Sequence, residues 1–159
     1  GGSFIFGYLA SFEKIPVQVK RISFLDSDYG YDSSYYPKFK EWLSAGGSLN
    51  VFAYNDSVAL FNGKPVVSAT GGTWYRSRLF LKHLYEDFKF SKLEDDSLVV
   101  YASKNRHIQF LFKTNPDQKI YHTQQVELNG FIHSVLCGTR RESKKYTYYA
   151  ARAYSDLIE

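Results

Sequence analysis

Cysteine, methionine and long uncharged apolar runs are scarce or missing in this 159-residue chain. A lone Cys137 cannot form an internal disulfide, which excludes a small disulfide-stabilised scaffold. Charged residues interrupt every apolar stretch before the roughly 18 residues that a membrane-spanning helix needs. Because no methionine opens the chain, we expect Gly1 and Gly2 to be a cloning remnant, followed by a single domain over residues 3–159.

Aromatic residues and positive charge are plentiful. Aromatics make up 18% of the chain, with 14 Tyr and 13 Phe, and Lys and Arg outnumber Asp and Glu by 20 to 16. Positive charge attracts polyanions, and aromatic rings stack on bases. The composition therefore favours a nucleic-acid partner over a membrane surface.

Hydrophobic periodicity predicts a single α+β domain with a mostly antiparallel sheet and about three helices. Helices are predicted over 36–44, 74–88 and 146–158, and residues 3–12 are predicted to form a buried strand or helix. Strands are predicted over 14–25, 98–103, 106–113, 119–128 and 131–136. Three antiparallel strands are predicted within 48–70, with turns at Asn55-Asp56 and Asn62-Gly63, and a further turn at Asn129-Gly130.

Several common site chemistries lack their signatures. The Gly71-Gly72 pair has neither the spacing nor the following lysine of a phosphate-binding loop. The four histidines are scattered along the chain, which argues against zinc ligation. Cys137 ends an apolar run, so we expect a buried structural thiol rather than a nucleophile.

Residues 26–32 hold three aspartates, Asp26, Asp28 and Asp32, within seven positions. Oxygen clusters of this kind bind hard divalent cations. The glutamate that closes a calcium-binding loop is missing at the required distance, so we expect a solvated loop here.

A second acidic segment pairs two carboxylates with a lysine: Glu86, Asp87 and Lys89. In metal-dependent nucleases carboxylates hold Mg²⁺, and a lysine stabilises the attacking water or the charge that develops on phosphorus. We predict these three as catalytic residues, with Glu86 and Asp87 as metal ligands. The alternative is a surface ion pair of Lys82 with Glu86, four residues apart on a helix.

Two basic segments could contact phosphates. The predicted nucleic-acid-binding residues are Arg76, Arg78, Lys82, Arg140, Arg141, Lys144 and Lys145. The second group is followed by several tyrosines near the C-terminus. The alternative is that these tyrosines line the core and that the basic link is a solvated loop.

The chain length, the abundance of Tyr and Phe, and a predicted helix over 74–89 that carries Glu86 resemble the small nucleases of filamentous viruses of hyperthermophilic crenarchaea, the Acidianus filamentous virus type. The resemblance implies a distant, decorated relative of the PD-(D/E)XK fold. It also implies metal-dependent cleavage of linear double-stranded DNA, with a catalytic Glu86 and with Asp87 and Lys89 as matching neighbours. That family places its acidic unit on a strand, whereas 86–89 is predicted here at a helix end.

The expected function is therefore that of a viral, Mg²⁺-dependent deoxyribonuclease, with Mn²⁺ as the alternative cation. Its expected partner is double-stranded DNA rather than a membrane, and its expected location is the host cytoplasm. The first alternative is a non-enzymatic nucleic-acid-binding module that uses the same basic and aromatic surface. The second is a structural or protein-interaction domain whose aromatics serve a core and an interface.

Overall fold

A computed structural model describes residues 1–123, 125–146 and 148, without the side chains of residues 127 and 145. Its α-helices are α1 (Gly2–Ala10), α2 (Tyr36–Ser44), α3 (Gly72–Leu84) and α4 (Phe131–Leu136). Its strands are β1 (Arg21–Leu25), β2 (Ser48–Tyr54), β3 (Leu60–Phe61), β4 (Lys64–Pro65), β5 (Phe90–Glu94), β6 (Leu98–Ser103) and β7 (Ile108–Lys113). No helix in the described part of the chain is long and apolar enough to cross a membrane.

Five strands form one sheet in the order β1-β2-β7-β6-β5, and β3 pairs with β4 in a separate small hairpin. β2 runs parallel to both of its neighbours, while β5, β6 and β7 form an antiparallel meander. Counting the small hairpin with the five-stranded sheet, three of the five pairings between described strands are antiparallel, and the predicted α+β domain with mostly antiparallel strands is confirmed.

The three antiparallel strands predicted within 48–70 are wrong in their pairing. Only the short hairpin around Asn62-Gly63 is antiparallel, whereas β2 lies between two parallel strands. Every residue of β2 is buried. Burial on both faces is typical of a parallel strand at the centre of a sheet, because helices cover such a sheet on each side.

Helices α1, α2 and α3 cover one face of the sheet, and α4 covers the other. The first interface is rich in aromatic rings, including Phe24, Phe39, Phe80 and Tyr31, which is stacked on Phe80 with a centroid distance of 3.9 Å. Aromatic pairs add about 0.5–1.5 kcal/mol beyond their burial. The abundance of aromatics is therefore explained in large part by this core.

On the other face, α4 is attached to the sheet by buried polar contacts. The Cys137 thiol donates to Asn50 Oδ1 at 2.7 Å, and His133 Nε2 lies 3.0 Å from Gln109 Oε1. Burial lowers the pKa of His133 to about 4. Cys137 is 1% exposed, which confirms the predicted buried thiol.

Helix 36–44 and strands 98–103 and 106–113 are confirmed to within two residues. The predicted strands 119–128 and 131–136 are wrong, because this segment forms a loop, a π-helical turn (Val126–Gly130) and α4. A two-residue hairpin turn of type I′ needs positive φ at both central residues. Asn129 has φ 64° but Gly130 has φ −57°, so the chain continues as a helix.

Three other predicted boundaries differ from the structure. The strand predicted over 14–25 is restricted to β1, because Pro16 begins a turn, closed by the Val19 N–H, that delays extended structure. Residues 3–12 contribute to helix α1, and the helix predicted over 74–88 ends at Leu84. The helix predicted over 146–158 lies almost entirely outside the described residues.

Candidate functional site

Three aspartates meet where the parallel strands end. Asp26 follows β1 directly, Asp28 lies two residues further on, and Asp56 follows β2 after one residue. Their exposed fractions are 1%, 0% and 4%. The carboxyl ends of adjacent parallel strands lie at one edge of a sheet, where ligands of α/β proteins commonly bind. We call these three residues the aspartate edge.

The first turns of α3 supply most of the hydrogen bonds to the aspartate edge. The Thr73 N–H donates to Asp56 Oδ2 at 2.8 Å, and the Ser77 hydroxyl donates to Asp28 Oδ2 at 2.8 Å. The Thr73 hydroxyl donates to Asp26 Oδ1 and also lies 3.3 Å from Asp56 Oδ2. The carboxylates of Asp26 and Asp56 therefore flank a single hydroxyl oxygen.

The start of α3 can approach Asp56 because residue 72 is glycine. Gly72 has φ +78°, a region that favours glycine, and a Cβ placed there would lie 2.3 Å from Asp56 Oδ2. The helix also directs the positive end of its dipole at the carboxylates. Glycine at this position thus allows the helix terminus and the acid to be in contact.

His122 connects the aspartate edge to solvent. Its Nδ1 lies 2.6 Å from Asp26 Oδ2, while its side chain is 56% exposed. The hydrogen bond to Asp26 raises the pKa of His122 above its usual value. The imidazole is therefore the group of this cluster that solvent and a large substrate can reach.

The aspartate edge has more acceptor atoms than donors. Asp28 Oδ1 and Asp56 Oδ1 are buried and have no hydrogen-bond partner among the described residues. Burial raises the pKa of Asp28 to about 8, and burial also raises the pKa of Asp56. A buried carboxylate is stable when it is protonated or paired with a cation. The site thus requires positive charge from a proton or an ion.

Within the described residues, no group of three or more His, Cys, Asp and Glu side chains is arranged to hold a metal ion. Zinc sites use three or four protein ligands, whereas Mg²⁺ usually keeps several waters and binds only one or two carboxylates. Asp26 and Asp56 on either side of the Thr73 hydroxyl fit that lower requirement.

The expectation of a solvated loop over residues 26–32 is wrong for two of its three acids. Asp26 and Asp28 are buried, and only Asp32 is exposed, where its carboxylate accepts from the Ser34 N–H. The sequence contains a signal that could have identified the site. Two β-prone segments, 21–25 and 48–54, are each followed within two residues by an aspartate.

The predicted catalytic residues Glu86, Asp87 and Lys89 lie in the exposed turn between α3 and β5. Asp87 forms an ion pair with Lys40 at 2.7 Å and accepts a hydrogen bond from the Tyr36 hydroxyl. The length of α3, about 20 Å, separates this turn from the aspartate edge. The structure therefore does not bring the two acidic regions together.

The alternative interpretation of this segment was a surface ion pair between Lys82 and Glu86. That pair is absent from the ion pairs that the described side chains form. Because α3 ends at Leu84, Glu86 does not lie on the same helix as Lys82. Lys82 is consequently an exposed cation without an acidic partner in the described part of the chain.

The predicted nucleic-acid-binding residues divide into two separate groups. Arg78 and Lys82 are exposed on α3, while Arg76 is half-buried and donates to the Tyr31 carbonyl at 3.1 Å. Arg140, Arg141 and Lys144 are exposed beyond α4, and the Lys145 side chain lies outside the described residues.

The second group lies at the opposite edge of the sheet from the aspartates. Glu142, within this segment, pairs with Arg106 just before β7, and Arg21 at the start of β1 donates to the Cys137 carbonyl at 2.9 Å. Both partners lie at the amino ends of parallel strands. A single compact ligand cannot touch this group and the aspartate edge together.

A groove borders α3 and reaches the aspartate edge. Trp74, Arg78 and Lys82, spaced four residues apart on the helix, line two adjoining depressions. One has a volume of about 550 Å³ and extends to Asp56. The other, of about 510 Å³, extends to Tyr101 on β6. We call the two depressions together the α3 groove.

Comparisons with protein-family models, with curated proteins and with solved structures found no match. The viral nuclease family that the sequence resembles therefore stays a prediction. Inference about function rests on the geometry of the aspartate edge and the α3 groove.

Proposed function

We propose that this protein is a divalent-cation-dependent nuclease that hydrolyses phosphodiester bonds at the aspartate edge. The observation that carries the proposal is the cluster of three buried acids, in which Asp28 Oδ1 and Asp56 Oδ1 have no hydrogen-bond partner among the described residues. Such a cluster is costly to bury without compensating positive charge. A divalent cation would supply that charge near neutral pH.

Asp26 and Asp56 would hold Mg²⁺, or Mn²⁺, with water completing its coordination. The cation would neutralise charge on the phosphate and lower the pKa of the attacking water. Asp28 would remain behind this pair, where its bond to Ser77 fixes its orientation.

His122 is suited to proton transfer at this edge. Because Nδ1 is bonded to Asp26, Nε2 is the ring nitrogen that would face a substrate. The attacking water would release one proton to solvent as its oxygen bonds to phosphorus, the bond from phosphorus to the leaving oxygen would break, and His122 would donate a proton to that leaving oxygen. Asp26 supports this role by stabilising the protonated ring.

Substrate binding would depend on exposed cations of the α3 groove. Arg78 and Lys82 can contact phosphates on either side of the reacting bond. The resemblance to the viral nucleases implies linear double-stranded DNA as the substrate, a viral origin and action in the host cytoplasm. We include all three in the proposal.

The direct test is incubation of linear duplex DNA with the protein in Mg²⁺, in Mn²⁺ and in EDTA. We expect cleavage with either cation and none in EDTA. Asp56→Asn should reduce cleavage by at least about 100-fold. Asp32→Asn is the matched control, because Asp32 is exposed and lies outside the aspartate edge. Full activity of a folded Asp56→Asn protein would contradict the proposal.

A non-enzymatic nucleic-acid-binding module is the second candidate. It is favoured by the exposed Arg78 and Lys82, which can contact phosphates whether or not the strand is cut. DNA binding without cleavage in any divalent cation would support this candidate and reject the nuclease.

A further inference from the structure

The depression of the α3 groove that faces β5 and β6 combines aromatic rings with cations. Its rings and cations are Trp74, Tyr85, Tyr101, Arg78, Lys82 and Lys92. Tyr85 is 47% exposed, and its ring centroid lies 6.0 Å from that of Tyr101 at a steep angle. Ring surface is therefore available to a flat ligand between α3 and the sheet.

A cation lies near two of these rings. The Arg78 guanidinium carbon is 5.7 Å from the Trp74 ring centroid, and Lys92 Nζ is 6.0 Å from the Tyr101 centroid. Contacts of this length are within the range of cation–π attraction. Two of the rings that could stack on a base thus each have a positive charge that could contact the adjoining phosphate.

The groove has an excess of positive charge. Glu94 is the acidic residue that lines this depression, and it is paired with Lys92. Neither Arg78 nor Lys82 has a carboxylate partner among the described residues. The charge complementarity favours a polyanionic ligand.

We propose that the α3 groove binds an unpaired polynucleotide strand, with bases on its aromatic rings and phosphates on Arg78 and Lys82. Alternating rings and cations are typical of single-strand binding, because every base offers a flat face once it is unpaired. In a duplex the bases are stacked on each other, and exposed rings would gain little. The inference rests on the proposed function, since the strand is taken to be an unpaired or frayed end of its linear DNA substrate.

The two depressions of the α3 groove connect this binding surface to the aspartate edge. Trp74, Arg78 and Lys82 line both, and the second depression also includes Asp56 and Gly71. A strand stacked between α3 and β6 would therefore continue past the start of the helix to the carboxylates. Such a path fits the cutting of single strands or of frayed duplex ends.

The test measures binding in EDTA, so that cleavage cannot contribute. Fluorescence anisotropy is recorded with labelled oligo(dT) and oligo(U) of roughly 16 nucleotides, which spans known single-strand site sizes, and with a blunt duplex of equal length. We expect the single strands to bind at least tenfold more tightly than the duplex. Equal or tighter binding of the duplex would overturn the inference.

Matched substitutions locate the binding surface. Tyr85→Ala should weaken single-strand binding by about tenfold, as expected for one lost stacking contact. Tyr8→Ala is its control, because Tyr8 is 40% exposed but lies on α1. Lys82→Ala should reduce the log–log salt slope by about 0.7, whereas Lys64→Ala, on the β3–β4 hairpin, should leave it unchanged. Equal effects of Tyr85→Ala and Tyr8→Ala would place the strand elsewhere.

Intrinsic fluorescence gives an independent readout. Of the two tryptophans, Trp42 is 6% exposed and donates to the Val19 carbonyl, so quenching by oligo(dT) should come from Trp74. Trp74→Phe should abolish the quenching, and quenching that persists would contradict the inference. Asp56→Asn should bind single strands at least as well as wild type. If the wild-type protein itself fails to cleave DNA in Mg²⁺ and in Mn²⁺ while oligo(dT) still quenches Trp74, the nuclease is rejected and the binding groove is retained.

Discussion

The two acidic regions at the ends of α3 differ in burial and in hydrogen bonding. At the start of the helix, Asp26 and Asp56 are buried around one threonine hydroxyl. Beyond its end, Glu86 is exposed, and Asp87 is occupied by Lys40 and Tyr36. Asp26 and Asp56 lie 30 residues apart in the sequence, yet they meet in space. Glu86 and Asp87 are adjacent in the sequence, yet they lie away from this cluster. The reactivity of a carboxyl group depends on its desolvation, which cannot be read from the spacing of acids in the sequence.

The largest expected effect is on the rate of DNA cleavage, and it distinguishes the two acidic regions. Asp26→Asn should lower cleavage of DNA in Mg²⁺ by roughly 1,000-fold, because it removes a cation ligand and the partner of His122. Glu86→Gln should stay within about twofold of wild type. Initial rates on linear DNA, with melting curves to verify folding, provide the measurement. The reverse pattern would move the catalytic centre to the turn that the sequence predicts.

The next largest effect is a change in the free energy of unfolding with pH. A carboxyl whose pKa is raised by folding holds its proton longer in the folded protein than in the unfolded chain. The pKa of Asp28 is raised to about 8, so between pH 5 and 8 this carboxyl is ionised in the unfolded chain but keeps its proton in the folded protein, and the free energy of unfolding should fall as pH rises in EDTA. The expected loss is about 1 kcal/mol per pH unit.

Asp28→Asn should flatten this pH profile, since asparagine does not ionise. Added Mg²⁺ should restore stability near pH 8 in the wild type, because a bound cation favours the ionised cluster. Urea titrations at several pH values give the free energies. A profile that is identical in wild type and Asp28→Asn would show that Asp28 is not the group that titrates.

A smaller effect is expected at the start of α3. Gly72→Ala places a Cβ against Asp56 at positive φ, and should cost about 1–2 kcal/mol more than Gly63→Ala. Gly63 is the control because it also has positive φ, +75°, but open space around it. Chemical denaturation of both variants measures the difference. Equal losses would mean that the contact with Asp56 contributes nothing beyond backbone strain.

The smallest effect is expected for the ion pair beyond the end of α3. Asp87→Asn removes the attraction to Lys40 at a surface site, where such pairs contribute less than about 1 kcal/mol. We expect a loss of at most about 0.5 kcal/mol, which decreases further in high salt. Thermal melts at low and high salt provide the measurement, and a loss of several kcal/mol would show that this turn is more constrained than its exposure indicates.

Local patterns located α2, β6 and β7 to within two residues, but they predicted strands where the π-helical turn and α4 lie, and they predicted the pairing of β2 wrongly. Asn62-Gly63 and Asn129-Gly130 look alike in sequence, yet only the first forms a hairpin, because helix α4 packs on the sheet after the second. The aspartate edge was missed because it depends on β1 and β2 being parallel neighbours. That pairing brings Asp26 beside Asp56, and no pattern within either segment encodes it.

The place of β7 in the middle of the sheet has a consequence for protein synthesis. β7 is the last strand of the described chain, yet it pairs with β2 through Leu49↔Ile108 and the residues that follow. Until it leaves the ribosome, β2 has an apolar edge that can pair with other nascent chains. Roughly 60 residues separate the two strands, so translation at about 5–20 residues per second leaves that edge open for about 3–12 s. Capture of β2 by a chaperone during this interval would protect the open edge until β7 pairs with it.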